Sequence, residues 1–161
     1  MVKSWLKQLL FLVVPIIIIS SAFLMENIEL KKEIGGQYHR EMQQANGYLG
    51  ALSRMSSSEL QATGESNLFL YQLIYLTHIS FTIQHQDLAD LLMDTEHQLR
   101  SVSSLNEEEL KALETDIRKL AFTVNDLIDE VRDKRMDWYQ FYQKPSKRVL
   151  ERIDERLAME Y

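Results

Sequence analysis

The sequence predicts an all-α protein: one N-terminal transmembrane helix, then an elongated antiparallel three-helix bundle of coiled-coil character with a short C-terminal fourth helix. Three observations predict it. The run from Gln8 to Met25 holds no charged residue. Beyond it, Gly35, Gly36, Gly47, Gly50, Gly64 and Pro145 are the only glycines and prolines, so breakers are sparse and elements long. Apolar residues then recur at spacings of three and four, the period of one helix face rather than of a strand.

Residues 1–8 form a short basic tail and 9–25 the expected signal-anchor helix. At 1.5 Å per residue the run is just long enough for a hydrocarbon core of roughly 30 Å. Trp5 and Lys7 lengthen it, because indole prefers the interface and lysine reaches back to the headgroups. Leu9, Phe11, Ile18 and Phe23 supply apolar bulk, and Pro15 is tolerated because a kinked membrane helix finds replacement partners for the freed carbonyl. The competing reading is a cleaved secretory signal ending at Ser20, Ser21 and Ala22. The apolar run continues past that point through Phe23, Leu24 and Met25, which favours the anchor. Basic residues on the two sides do not discriminate orientation. A short basic tail before a first apolar segment, followed by a long domain, argues for a cytoplasmic N-terminus and an extracytoplasmic body.

The body, 26–143 plus a C-terminal amphipathic helix over 144–161, divides into segments near 26–62, 66–102 and 106–143. The first carries Tyr38, Met42, Ala45, Leu49 and Leu52. Gly35 and Gly36 are expected to hinge it from the anchor, and the serines at 56–58 to mark its fraying end. The second opens at Ser66 and carries Leu70, Leu73, Ile74, Thr77, Phe81, Gln84, Leu88, Leu91 and Thr95, ending near Leu99 and Val102; its first half is apolar nearly all round, as in a helix buried on several sides. The third opens on Asn106 with Glu109 three residues on, a reciprocal cap. Its stripe, Leu110, Leu113, Ile117, Leu120, Val124, Leu127, Val131, Trp138 and Phe141, follows a heptad broken only at Lys134. Pro145 ends it. Near-equal segments, each roughly 55 Å long as helix, suggest an up-down-up rod.

Composition excludes several functions. The chain has no cysteine, so disulfides, thiolate metal sites and thiol nucleophiles are out. Without Lys3 and Lys7, 16 basic residues against 24 acidic ones leave the body at a formal charge of −8. Such a surface repels phosphate backbones, and no nucleic-acid partner is expected. His39, His78, His85 and His97 show no zinc-ligand spacing. His78 and His85 share a helical face, as do Asp90, Asp94 and His97, but these read as polar flanks beside a core. The carboxylates sit at helix starts and solvent faces, and no nucleophile elbow or phosphate-binding glycine loop is present. The expectation is therefore no enzyme, no catalytic residue, no cofactor and no bound metal, with little scope for a small-molecule ligand on a rod.

What remains is contact. The seam Leu110, Leu113, Ile117, Leu120, Val124, Leu127 and Val131 is the expected helix-packing or partner seam, open to a protein partner or a second copy. A candidate partner patch lies in Arg135, Trp138, Tyr139, Phe141 and Tyr142, since aromatics and arginine dominate binding hot spots. It is expected at the distal tip of the rod, with Trp138 and Phe141 equally explained as core. The leading expectation is a single-pass, membrane-anchored scaffold, adaptor or regulator working through helix contacts. The alternative is a ligand-sensing ectodomain: the layout resembles the helical-bundle sensory domains of bacterial transmembrane receptors, and with one membrane segment it would report through a partner.

Overall fold

The computed structural model describes residues 2–63, 67–131 and 134–159, without the side chains of residues 2–12, 14–16, 63, 67 and 68. It is all-helical, with no strand among the described residues. In order come α1 (Val2–Leu52), α2 (Ser57–Thr63), α3 (Asn67–Thr82), α4 (Gln86–Arg100), a 3-10 turn (Val102–Ser104), α5 (Glu107–Val131), α6 (Arg135–Gln143) and α7 (Lys147–Leu157). Ser66, read as a helix cap, and Gly64, read as a turn, lie outside the described residues.

α1 runs unbroken for 51 residues, about 77 Å. The expected hinge is absent: Gly35 and Gly36 are helical and buried. Their lack of a side chain serves close packing rather than bending. From Ile17 to Leu30 every α1 residue is exposed, so this stretch stands clear of the bundle. Ile18 and Phe23 are 61% and 70% exposed. The other anchor residues named from the sequence, Trp5, Lys7, Leu9, Phe11 and Pro15, lie outside the described side chains. Among the described residues, no helix is long and apolar enough to cross a membrane.

The body differs from the expected three-helix rod. The 66–102 segment breaks at residues 83–85 and folds back, so α3 and α4 form a hairpin and the bundle gains a fourth helix. The cause is local. Gln84 takes the left-handed conformation, φ 61°, and the buried His85 caps α4, its Nδ1 accepting the Leu88 N–H at 3.3 Å. The C-terminal half of α1 packs on α3 and α5, and α4 packs on the same two helices. Cross-contacts fix the directions. Tyr48 meets Phe69 edge-on at 5.8 Å, and the Asn46 amide donates to Asn125 Oδ1 at 3.3 Å. Tyr75, two turns beyond Phe69, faces Glu41, two turns before Tyr48. Neighbouring helices therefore alternate, up-down-up-down.

One core fills this bundle. Met42, Ala45, Leu49, Leu73, Leu76, Ile79, Leu92, Leu113, Ile117, Leu120 and Val124 are all at most 4% exposed. The void among Met42, Leu76, Ile79, Leu92 and Val124 is about 10 Å³, room for one water at most. The serines at 56–58 do not fray α1. Ser56 donates its N–H at 2.8 Å and its hydroxyl at 2.7 Å to Glu59, opening α2, whose Ser57 donates to Glu114 of α5. The Asn106–Glu109 cap forms as the sequence predicts: the Asn106 N–H donates to Glu109 at 2.8 Å, and the Glu109 N–H donates to Asn106 Oδ1 at 3.0 Å.

The 106–143 segment is likewise two helices. α5 stops at Val131 and α6 restarts at Arg135, turning its aromatics onto α1. After Pro145, Ser146 caps α7 by accepting the Val149 N–H at 3.3 Å. α7 then straps back along α5, with Arg148 on Glu130 at 2.7 Å, Arg152 on Asp126 at 3.2 Å, and Arg156 on the same Asp126. Val149 and Ile153 bury its apolar side.

Candidate functional site

The exposed stretch of α1 enters the bundle beside α6. Gly35 permits this approach, since a Cβ built on it would stand 1.8 Å from the Arg135 carbonyl oxygen and 2.9 Å from the Tyr139 nitrogen. Gly36 lies under the Arg135 side chain, whose Cδ would be 3.1 Å from an added Cβ. One turn on, aromatic rings lock the two helices. Tyr38 stacks on Tyr142 at 3.8 Å between centroids with planes 17° apart, and His39 stacks on Trp138 at 5.1 Å. Trp138 meets Phe141 edge-on at 5.8 Å. Lys31 lies 5.8 Å from the Tyr139 ring centre, a cation over a π face. Ring pairs of this kind contribute about 0.5–1.5 kcal/mol each beyond their buried area.

Polar groups thread this junction. The Tyr142 hydroxyl lies 3.5 Å from Thr82 Oγ1 at the end of α3, and Gln37 donates to Glu41 at 2.9 Å. Burial first, then the neighbouring Tyr142 and the Glu41 carboxylate, push the Tyr38 phenol up to about 12. Burial and then Glu41 hold the Tyr75 phenol far above its ordinary range. The Tyr75 hydroxyl is buried and has no hydrogen-bond partner among the described residues. The junction is thus a clamp of aromatic rings around the Glu41 carboxylate, with Lys31 and Arg135 at its edge.

The structure places the residues named from the sequence as follows. The seam Leu110, Leu113, Ile117, Leu120, Val124, Leu127 and Val131 is buried throughout, at most 6% exposed, so the protein's own helices occupy it. The 135–142 patch is not at the distal tip: the extra reversal at the α3–α4 corner makes α5 run antiparallel to α1, which brings α6 to the end from which α1 emerges. Within it Trp138 and Phe141 are core, Tyr139 and Tyr142 are half-buried and Arg135 is exposed. His78 is exposed and His85 buried, so they share no open face. His85 Nε2 lies 3.1 Å from Asp154 Oδ1, tying the α3–α4 corner to α7. Asp90, Asp94 and His97 are exposed on α4, and among the described residues no group of three or more acids and histidines is placed to hold a metal ion. Burial and then Asp94 raise the Asp116 carboxyl, which Lys119 opposes.

Sequence reasoning missed the clamp itself. The sequence offers Tyr38 only as part of a stripe and Gly35 as a joint, and gives Glu41 and Tyr75 no role. The available signal was the pairing of two buried-helix glycines with an aromatic cluster a hundred residues on, which becomes meaningful only once α6 lies against α1. Comparison with protein-family models, with curated proteins and with solved structures finds no match to this chain.

Proposed function

We propose that the chain is a single-pass membrane protein, N-terminus cytoplasmic and bundle extracytoplasmic, that works as a scaffold, adaptor or regulator by helix contacts and not by catalysis. The observation that carries this is the free apolar stretch of α1. Ile17, Ile18, Ile19, Phe23, Leu24 and Met25 are each 57–70% exposed. Burying such a side chain is favourable by about 1.5–3 kcal/mol, so a helix apolar on all sides calls for a hydrocarbon surrounding. Of its two hydroxyls, Ser20 and Ser21, the second donates to the Ile17 carbonyl at 2.7 Å. Charge returns at Glu26, and Glu29 pairs with Lys32 at 2.8 Å before the helix meets α6.

Two measurements test the reading. Alkaline carbonate washing of membranes should leave the full chain in the pellet; release to the supernatant would remove the anchor. Because the chain lacks cysteine, an impermeant maleimide should label Gln43→Cys on intact cells. Labelling only after lysis would reverse the orientation.

A further inference from the structure

On the outer side of the bundle α1 and α5, joined by the Asn46–Asn125 hydrogen bond, leave a surface recess. A groove of about 680 Å³ runs there, floored by Gly47 and Gly50, walled by the half-exposed Phe122, and flanked at the end away from α6 by Arg54 and Arg118. The two cations stand on a body whose net charge is −8. Arg118 reaches Glu114 only across 3.9 Å, and Arg54 makes no ion pair among the described residues. A planar guanidinium pair so placed suits carboxylate oxygens from outside. The floor agrees. A Cβ at Gly47 or Gly50 would meet nothing within 4 Å, so unlike Gly35 neither glycine is required by the fold, and each weakens the helix relative to alanine. What their bareness provides is room for a third helix to approach.

We infer that this groove is the docking site for a helix of a different protein, one that sets small side chains over Gly47 and Gly50, an apolar side chain against Phe122 and a carboxylate between Arg54 and Arg118. The inference rests on the proposed tethered, contact-making role. A second copy is disfavoured by geometry. Copies anchored in one membrane stand at equal height, and a twofold axis along the membrane normal would set Arg54 and Arg118 against their own counterparts.

The test is photo-crosslinking in the protein's native cells, with p-benzoylphenylalanine in place of Phe122 in the full-length chain and adducts mapped by mass spectrometry. The expected adduct is a peptide from another protein with Asp or Glu within two helical turns of the linked residue. Gly47→Leu, which fills the groove, and the pair Arg54→Glu with Arg118→Glu should each reduce the adduct at least about tenfold. The melting temperature of Gly47→Leu should be unchanged or higher, which separates a blocked groove from a damaged fold. An adduct to a second copy, an adduct indifferent to Gly47→Leu, or no adduct would overturn the inference. Fractionating the same cells judges the anchor separately: protein in the soluble fraction fails the tether, while membrane-bound protein without an adduct fails only the groove.

Discussion

Gly35 lies directly beneath Arg135, so close that a single methyl group on its Cα would stand 1.8 Å from the Arg135 carbonyl oxygen. Backbone cannot yield as a flexible side chain does. Gly35→Ala should therefore lift α6 from α1 and destabilise the protein by about 1–3 kcal/mol, the usual cost of overpacking. Near-UV circular dichroism should lose signal from the Tyr38–Tyr142 stack in the same variant. Gly36→Ala, which meets only the Arg135 side chain, should cost under about 1 kcal/mol.

At Gly47 and Gly50 the opposite sign is expected. Both sit inside α1 with open space where a Cβ would go. Alanine should raise stability at each by up to about 1 kcal/mol in urea unfolding. A loss at either position would mean that the α1–α5 face is tighter than its geometry.

The α3–α4 corner should respond to backbone preference. A left-handed non-glycine residue costs about 1–2 kcal/mol, and Gln84 is exposed at φ 61°. Gln84→Gly should stabilise by about 1 kcal/mol, less the extra freedom of the unfolded glycine. His85→Ala removes both the α4 cap and the link to Asp154, and should destabilise by about 1 kcal/mol or more.

Alkaline pH should loosen the clamp. Tyr38, held near 12, and Tyr75, held higher, keep their protons in the folded protein above pH 10, whereas the unfolded chain releases them. The folded state then binds more protons, so stability is fully present below about pH 10 and falls as pH rises through the folded values. Urea midpoints at pH 8, 10 and 11 would show the decline. Tyr75→Phe should make it shallower and, by deleting a buried hydroxyl without a hydrogen-bond partner, raise stability by about 1 kcal/mol at neutral pH.

Periodicity made much of this architecture legible. The heptad from Leu110 to Val131 is buried in the register read from its spacing, and the Asn106–Glu109 cap is in place. The breaks were not legible, for a physical reason. The α3–α4 corner contains neither glycine nor proline, and its left-handed residue is a glutamine, a residue type that gives no turn signal of its own. With that corner unseen, the periodicity predicts three helices where four form the bundle. The aromatic patch was misplaced for the same kind of reason. Its composition is visible in the sequence, but its position depends on the α3–α4 corner, which reverses the direction of α5. The two glycines at 35 and 36 show how one residue type carries two meanings: low propensity suggests flexibility, whereas here the missing side chain permits a rigid contact.

A helix 51 residues long with no break has no joint in which twist is dissipated. Rotating its apolar end about the axis carries Gly35 and Tyr38 around with it, and one residue's worth of rotation, about 100°, is far more than the backbone clearance at Arg135 allows. Torque applied among Ile17–Met25 is therefore delivered whole to the seat of α6, which must shift or hold the shaft still.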